Sequence, residues 1–150
     1  MSQKVYTIGH SNRDLSVFIK LLKHYKIEIV VDVRRWPTSR KFPYYNKENL
    51  EKELEKTGIK YIWLGEFLGG YRKEGYKKYL YSAKYKEGIS KLEKIIKNHW
   101  IAIMCSEKLW FRCHRRYISD TLAEKGYRVI HIIDQKRVQE HKLRNLYSNL

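Results

Sequence analysis

From Cys105 to Arg116 the chain reads C-S-E-K-L-W-F-R-C-H-R-R, and thiol, hydroxyl, carboxylate, imidazole and guanidinium groups fall within a dozen residues. An apolar run, Ile101 to Met104, stops abruptly at Cys105, Ser106 and Glu107, and Cys113, His114 and Arg115 then open a helical pattern. A buried strand ending at Cys105 and Glu107, followed by a helix start, would bring all of these groups to one crevice. The carboxylates with catalytic potential are Glu107 and Asp32. A carboxylate in such a crevice stabilises a developing positive charge and activates water, the two-carboxylate chemistry of which glycosidases are the precedent. The bland alternative for Asp32 is a buried partner of Arg34 or of a helix N-terminus. For Glu107 it is a solvated loop acid or a partner of a helix dipole.

The other groups carry two readings as well. Arg34, Arg40, Arg115 and Arg116 could hold phosphates in bidentate fashion. Arg115 at a helix start opposes the dipole, so a fixed anionic partner is expected, either a phosphate or the carboxylate of Glu107 or Asp32. Cys105 could be a nucleophile, and Cys113 gains acidity from a helix start. The alternative is that both are small core residues. Cys-x7-Cys-His is not a zinc spacing, so neither metal nor other cofactor is expected. His10 and His114 could orient a substrate or donate to a leaving base, or simply serve as structural hydrogen-bonders.

The elements that position these groups follow from hydrophobic periodicity. Val5 to Ile8 predicts a strand ending at Gly9-His10. Ser11 and Asp14 fit a capping box before a helix over about 12–25 carrying Leu15, Phe18, Ile19 and Leu22. Ile27 to Val33 and Tyr61 to Leu64 predict further strands, with a helix through Leu50 and Leu54 between them, capped by Asn46 and stopped by Gly58. Ile89, Leu92, Ile95 and Ile96 mark another helix before the central strand. Tyr117, Ile118 and Leu122 mark the helix after it, and Arg128 to Ile133 predicts a fifth strand. The polar tail, about 135–150, suggests a last helix through Val138, Leu143 and Leu146. Nearly continuous apolar strands separated by helices imply a parallel sheet covered on both faces. The expectation is one α/β domain over 1–150, a doubly wound, mostly parallel five-stranded sheet in the order 3-2-1-4-5. Ligands then bind at the carboxyl ends of the strands, where His10, Ser11, Arg34, Cys105 and Glu107 would meet.

The 150 residues carry 32 basic against 16 acidic side chains, net +16. A thermophile-style surface rich in Lys and Glu predicts balanced signs, and these are two to one. An anionic partner is therefore expected, nucleic acid first and an acidic membrane surface second. No apolar run is long enough to span a bilayer. Two cysteines without a secretory pattern point to reduced thiols and a cytoplasmic setting. Two stretches suit stacking on bases and neutralising a backbone. The loop Trp36–Tyr45, which has no acid, contributes Arg35 just before it, then Trp36, Lys41, Tyr44 and Tyr45. The insert, about 65–86, contributes Tyr71, Arg72, Lys73, Lys77 and Lys78. From Tyr71 to Lys86 it holds five tyrosines and six basic residues against Glu74 alone. Those tyrosines could instead cover the sheet or a dimer partner, and monomer and dimer both stay open.

Several motifs in order, Thr7-Ile8-Gly9-His10-Ser11, Asp32-Val33-Arg34 with Pro37 and Ser39-Arg40, Leu68-Gly69-Gly70, Met104-Cys105-Ser106-Glu107 and Cys113-His114-Arg115, closing with V-I-H-I at Val129–Ile132, resemble the domain of unknown function 488 family. The resemblance runs from about Tyr6 to Ile132. It implies an α/β domain and, through archaeal proteins of this kind, a DNA glycosylase removing deaminated bases. The candidate substrate contacts are His10, Ser11, Arg34, Ser39, Arg40, Gly69, Gly70, Cys113, His114 and Arg115. Trp110-Phe111-Arg112 stands where relatives often carry a proline-containing turn. A fainter likeness, through Asp32-Val33-Arg34 and the strand-end cysteine, is to rhodanese sulfurtransferases, whose short anion-cradling loop is not reproduced. Three functions remain open: a metal-independent DNA glycosylase using Asp32 or Glu107, a thiol enzyme using Cys105, and a non-catalytic nucleic-acid-binding module.

Overall fold

The computed structural model describes residues 3–143. Alternation of buried side chains explains how its sheet is filled. Strand β1 (Lys4–Gly9) and strand β2 (Ile29–Asp32) are buried along almost their whole length. So are β4 (Ile101–Cys105) and most of β5 (Arg128–Ile132), as expected of parallel strands covered on both sides. Strand β3 (Lys60–Trp63) is an edge, and β6 (Val138–Glu140) is exposed throughout. One face packs Val5, Val31, Ile103 and Val129 against α5 (Ala83–Ile96) and α6 (Arg115–Glu124). The other packs Ile8, Val30, Ala102 and Ile130 against α1 (Leu15–His24) and α2 (Lys47–Lys56). In α1, Phe18, Leu21 and Leu22 recur at helical spacing on the buried stripe. A side chain as fully buried as Phe18 contributes roughly 1.5–3 kcal/mol of transfer free energy.

The sheet order is β3-β2-β4-β1-β5-β6. This corrects the expected five strands and the order 3-2-1-4-5. Strand β4 lies between β1 and β2, not outside β1, and pairs in parallel with both. The pairing brings Gly9 level with Cys105 and Asp32 level with Met104. Helix α1 therefore crosses over β4 to reach β2, a connection that strand lengths and periodicity do not reveal. The ladder continues past the strands, His10 N–H donating to Cys105 at 2.9 Å and Ser11 N–H to Ser106 at 2.8 Å.

Other local expectations are corrected too. The helix expected from residue 12 starts at Leu15 with Asp14 at its cap. Ser11 sits instead at φ 50°, in the left-handed region, so no capping box forms. The insert carries two one-turn helices, α3 (Gly65–Leu68) and α4 (Tyr76–Tyr79), and α5 starts at Ala83, capped by the Ser82 hydroxyl. The expected tail helix is replaced by an antiparallel hairpin. The Asp134 carboxylate accepts N–H bonds from Lys136 and Arg137, and that turn sends Val138–Glu140 back along β5. Leu146 lies outside the described residues.

Candidate functional site

The carboxyl ends of β2 and β4 open into a cavity of about 330 Å³, at the small end of the 300–1,000 Å³ typical of ligand pockets. Its floor is Cys105, Ser106 and Glu107, leaving β4. One wall is Cys113 and His114 at the start of α6, joined by Arg112. The other is Arg34 with Trp36 and Thr38, and Gly70, Tyr71 and Tyr76 of the insert close the rim. Close main-chain packing makes this convergence possible. A methyl group on Gly9 would lie 1.8 Å from the Glu107 carbonyl oxygen, and one on Gly69 would lie 2.5 Å from Arg35 Cα. Arg115, 1% exposed, reaches back beneath the floor and donates to the Glu107 and Lys108 carbonyls at 3.0 and 3.1 Å. Its partners among the described residues are thus loop carbonyls, and neither Glu107 nor Asp32 pairs with it through a carboxylate.

Two carboxylates were expected at the crevice, and one lines it. Glu107 is exposed, lines the cavity and forms no ion pair among the described residues. Asp32 does not reach it. Strand alternation sends Asp32 to the α1/α2 side, where it is fully buried beside Tyr61. There it accepts from Arg34 Nε at 2.9 Å, from Arg34 Nη2 at 2.7 Å and from the Arg34 backbone N–H at 3.0 Å. Burial opposes the Arg34 charge, but Asp32 outweighs it and holds the guanidinium above its usual range. Asp32 thereby fixes Arg34, which does face the cavity.

The histidines divide in the same way. His10 is buried, stacks on Tyr45 at 4.1 Å, donates through Nδ1 to the Ser11 carbonyl at 2.8 Å and turns Nε2 towards Arg34 at 3.4 Å. His114 donates through Nε2 to the Val33 carbonyl at 3.0 Å, which leaves the Nδ1 lone pair on the cavity side, 3.6 Å from Cys113 Sγ. Burial pushes both imidazoles down to about 4, so both are neutral near pH 7. Cys113 Sγ lies 2.9 Å from Cys105 Sγ. Burial alone would raise Cys105, but the Cys113 hydrogen bond and the Arg115 charge prevail and lower it. The same hydrogen bond, with burial, raises Cys113.

Of the substrate contacts expected at the site, His10, Ser11, Ser39, Arg40, Gly69 and Arg115 are not among the residues that line the cavity. Ser39 is spent on the loop itself, its N–H bonded to Asn46 at 2.6 Å and its hydroxyl to Phe42 N–H at 3.0 Å. Among the expected nucleic-acid contacts, Trp36 and Tyr71 stand on the rim, 58% and 82% exposed, with ring centroids 5.3 Å apart. Tyr71 is held at φ 59°, which costs a side-chain-bearing residue roughly 1–2 kcal/mol. Tyr45 is corrected: it is fully buried under His10 and bonds to the Arg13 carbonyl, and Tyr44 is half-buried beside it. Arg72 is also structural, donating to the Gly69 and Glu66 carbonyls at 2.9 and 2.7 Å. Lys41, Lys73, Lys77 and Lys78 are exposed, and Arg35 stacks over Trp36 at 5.2 Å. Thr38, Tyr76, Ser106 and Arg112 line the cavity without having been singled out. Tyr76 was legible only as one of the insert tyrosines, and Arg112 only as a departure from the family pattern.

Charge concentrates at this end. Loops 33–46, 65–82 and 106–114 hold Arg34, Arg35, Arg40, Lys41, Arg72, Lys73, Lys77, Lys78, Lys108 and Arg112 against Glu66, Glu74 and Glu107. Among the described residues, no three His, Cys, Asp or Glu side chains converge as a metal site. No helix there is long and apolar enough to cross a membrane. No curated protein matches the chain. The family model described as "Domain of unknown function DUF488" matches residues 14–122, which takes in β2, the insert, β4 with Cys105 and Glu107, and most of α6, so the chain belongs to that family.

Proposed function

We propose that the protein is a nucleic-acid-directed hydrolase, a DNA glycosylase that removes damaged or deaminated bases with Glu107 as its catalytic carboxylate. The observation that carries this reading is a carboxylate, unpaired among the described residues, on the floor of a small cavity whose rim is exposed aromatics among cations. Extruding a base from a duplex needs a pocket for the base and surfaces to replace its stacking. Trp36 and Tyr71 supply such surfaces. They are shared with a second depression lined by Arg35, Arg72 and Lys73, which suits the continuing strand. In the cavity the Glu107 carboxylate stabilises the developing oxocarbenium ion and takes a proton from the attacking water. Arg34, fixed by Asp32, faces the leaving base, whose negative charge it offsets. The His114 Nδ1 lone pair accepts a hydrogen bond from a base N–H.

The test is incubation with duplexes carrying uracil, hypoxanthine or xanthine, followed by alkaline cleavage of abasic sites. Strand breaks are expected, and Glu107→Gln should lower the single-turnover rate by about 10²-fold or more with duplex binding retained. Strands that stay intact at stoichiometric enzyme reject the reading. Binding that is unaffected by Glu107→Gln, with no turnover in either protein, identifies a non-catalytic module instead. The sulfurtransferase alternative draws less support, because the Cys105 sulfur faces Cys113 at 2.9 Å instead of an open anion cradle.

A further inference from the structure

The base-removal reading leaves two thiols in contact on the cavity floor without a task. Cys105 and Cys113 come from opposite ends of the β4–α6 connection, and their sulfurs are 2.9 Å apart. A disulfide requires about 2.05 Å, so less than an ångström of closure separates the pair from a covalent bond. Both residues line the cavity, which admits a water-sized molecule. The pair is electrostatically prepared. Arg115 N–H, at the start of α6, donates to Cys113 Sγ at 3.4 Å. The same residue's guanidinium is buried, with Nε and Nη1 lacking partners among the described residues. Against burial, the Cys113 hydrogen bond and then this charge lower Cys105. His114 Nδ1 lies 3.6 Å from Cys113 Sγ, positioned to take a proton.

We infer that Cys105 and Cys113 form a redox site, converted by peroxide-class oxidants from the reduced pair to an intramolecular disulfide. The Cys105 thiolate attacks one peroxide oxygen. The O–O bond breaks, Cys105 becomes a sulfenic acid and hydroxide leaves. The Cys113 thiol gives its proton to that hydroxide, by way of His114 Nδ1, forming water. The resulting Cys113 thiolate attacks Cys105 Sγ, the S–O bond breaks and a second hydroxide departs. The peroxide is reduced by two electrons and the sulfur pair is oxidised by two. Both sulfurs are reducible again by an external dithiol. This inference does not rest on the base-removal reading, because it concerns the sulfurs alone.

The native protein is treated with hydrogen peroxide, quenched, unfolded and alkylated, and its intact mass is measured. The expected result is a single chain lighter by two hydrogens with no alkylatable thiol, restored to two thiols by dithiothreitol. Cys113→Ser should stop at a sulfenic acid on Cys105 that dimedone captures. Cys105→Ser should leave Cys113 alkylatable over the same interval. The inference is overturned if the wild-type protein keeps both thiols under peroxide that fully oxidises its urea-unfolded form. It is equally overturned if the only disulfide formed joins two chains.

Discussion

At the scale of single residues, identical side-chain types are sorted by which way their backbone faces. Asp32 and Glu107 both stand at strand ends. Asp32 is fully buried and bonded to Arg34 and Tyr61, whereas Glu107 faces the cavity. The sequence carried both possibilities for Asp32. What decides between them is strand parity together with Tyr61, a residue that becomes its neighbour only across the sheet. Removing one member of a buried ion pair costs about 3–5 kcal/mol, which suits Asp32 to scaffolding. The histidines yield a testable consequence. Burial holds His10 and His114 at about 4 and His131 at about 2. An unfolded chain protonates these groups near 6.5. The stability conferred by their neutral forms is therefore complete above about pH 6.5. It declines as acid is added, through pH 4 for the first two and further for His131. Each contributes at most about 1.4 kcal/mol per pH unit. Urea denaturation at pH 7 and at pH 4.5 should show a fall of several kcal/mol, and equal midpoints at the two pH values would refute neutral burial of these rings.

At the scale of elements, the helices and strands with strong periodicity were legible, and their connections were less so. Residues such as Phe18, Leu50, Leu92 and Leu122 sit at helical spacing and are fully buried where that spacing puts them. The position of β4 between β1 and β2 was not legible, because crossing over one strand or none requires similar helices. The outcome sets the loops carrying His10 and Arg34 on the two sides of Cys105, of which only the Arg34 side lines the cavity. The tail hairpin was hidden for a different reason: three exposed residues in β6 carry no apolar alternation. The sheet and its loops are locked by close contacts at glycine, which leads to a graded expectation. Gly9→Ala meets the rigid Glu107 carbonyl and should destabilise by about 3 kcal/mol or more. Gly126→Ala, at φ 99° with nothing near its new methyl group, should cost about 1 kcal/mol. Thermal melts of the two variants should rank in that order, and a Gly9→Ala protein as stable as wild type would contradict the packing described.

At the scale of the whole molecule, charge was legible as a total but not as a distribution. The chain as a whole has 32 basic against 16 acidic residues, whereas the loops around the cavity have ten against three. If these loops track a phosphate backbone, affinity for a short duplex should fall steeply with salt. Neutralising six phosphates gives a log–log slope of about −5. Replacing both Lys73 and Lys78 by Ala should make that slope shallower by about 2, whereas Trp36→Ala should leave it unchanged and weaken single-strand binding by roughly 1–3 kcal/mol. Fluorescence titrations across a salt series read both quantities, and a slope that the lysine variants do not alter would move the contact surface elsewhere. The contact between Gly9 and the Glu107 carbonyl has a bearing on how such a protein diversifies. Because main chain rests on main chain there, the depth of the hollow is not something a side-chain exchange can tune. A lineage or a mutant library seeking a larger or smaller guest must alter the aromatic and basic edge, and its innermost layer stays the same throughout.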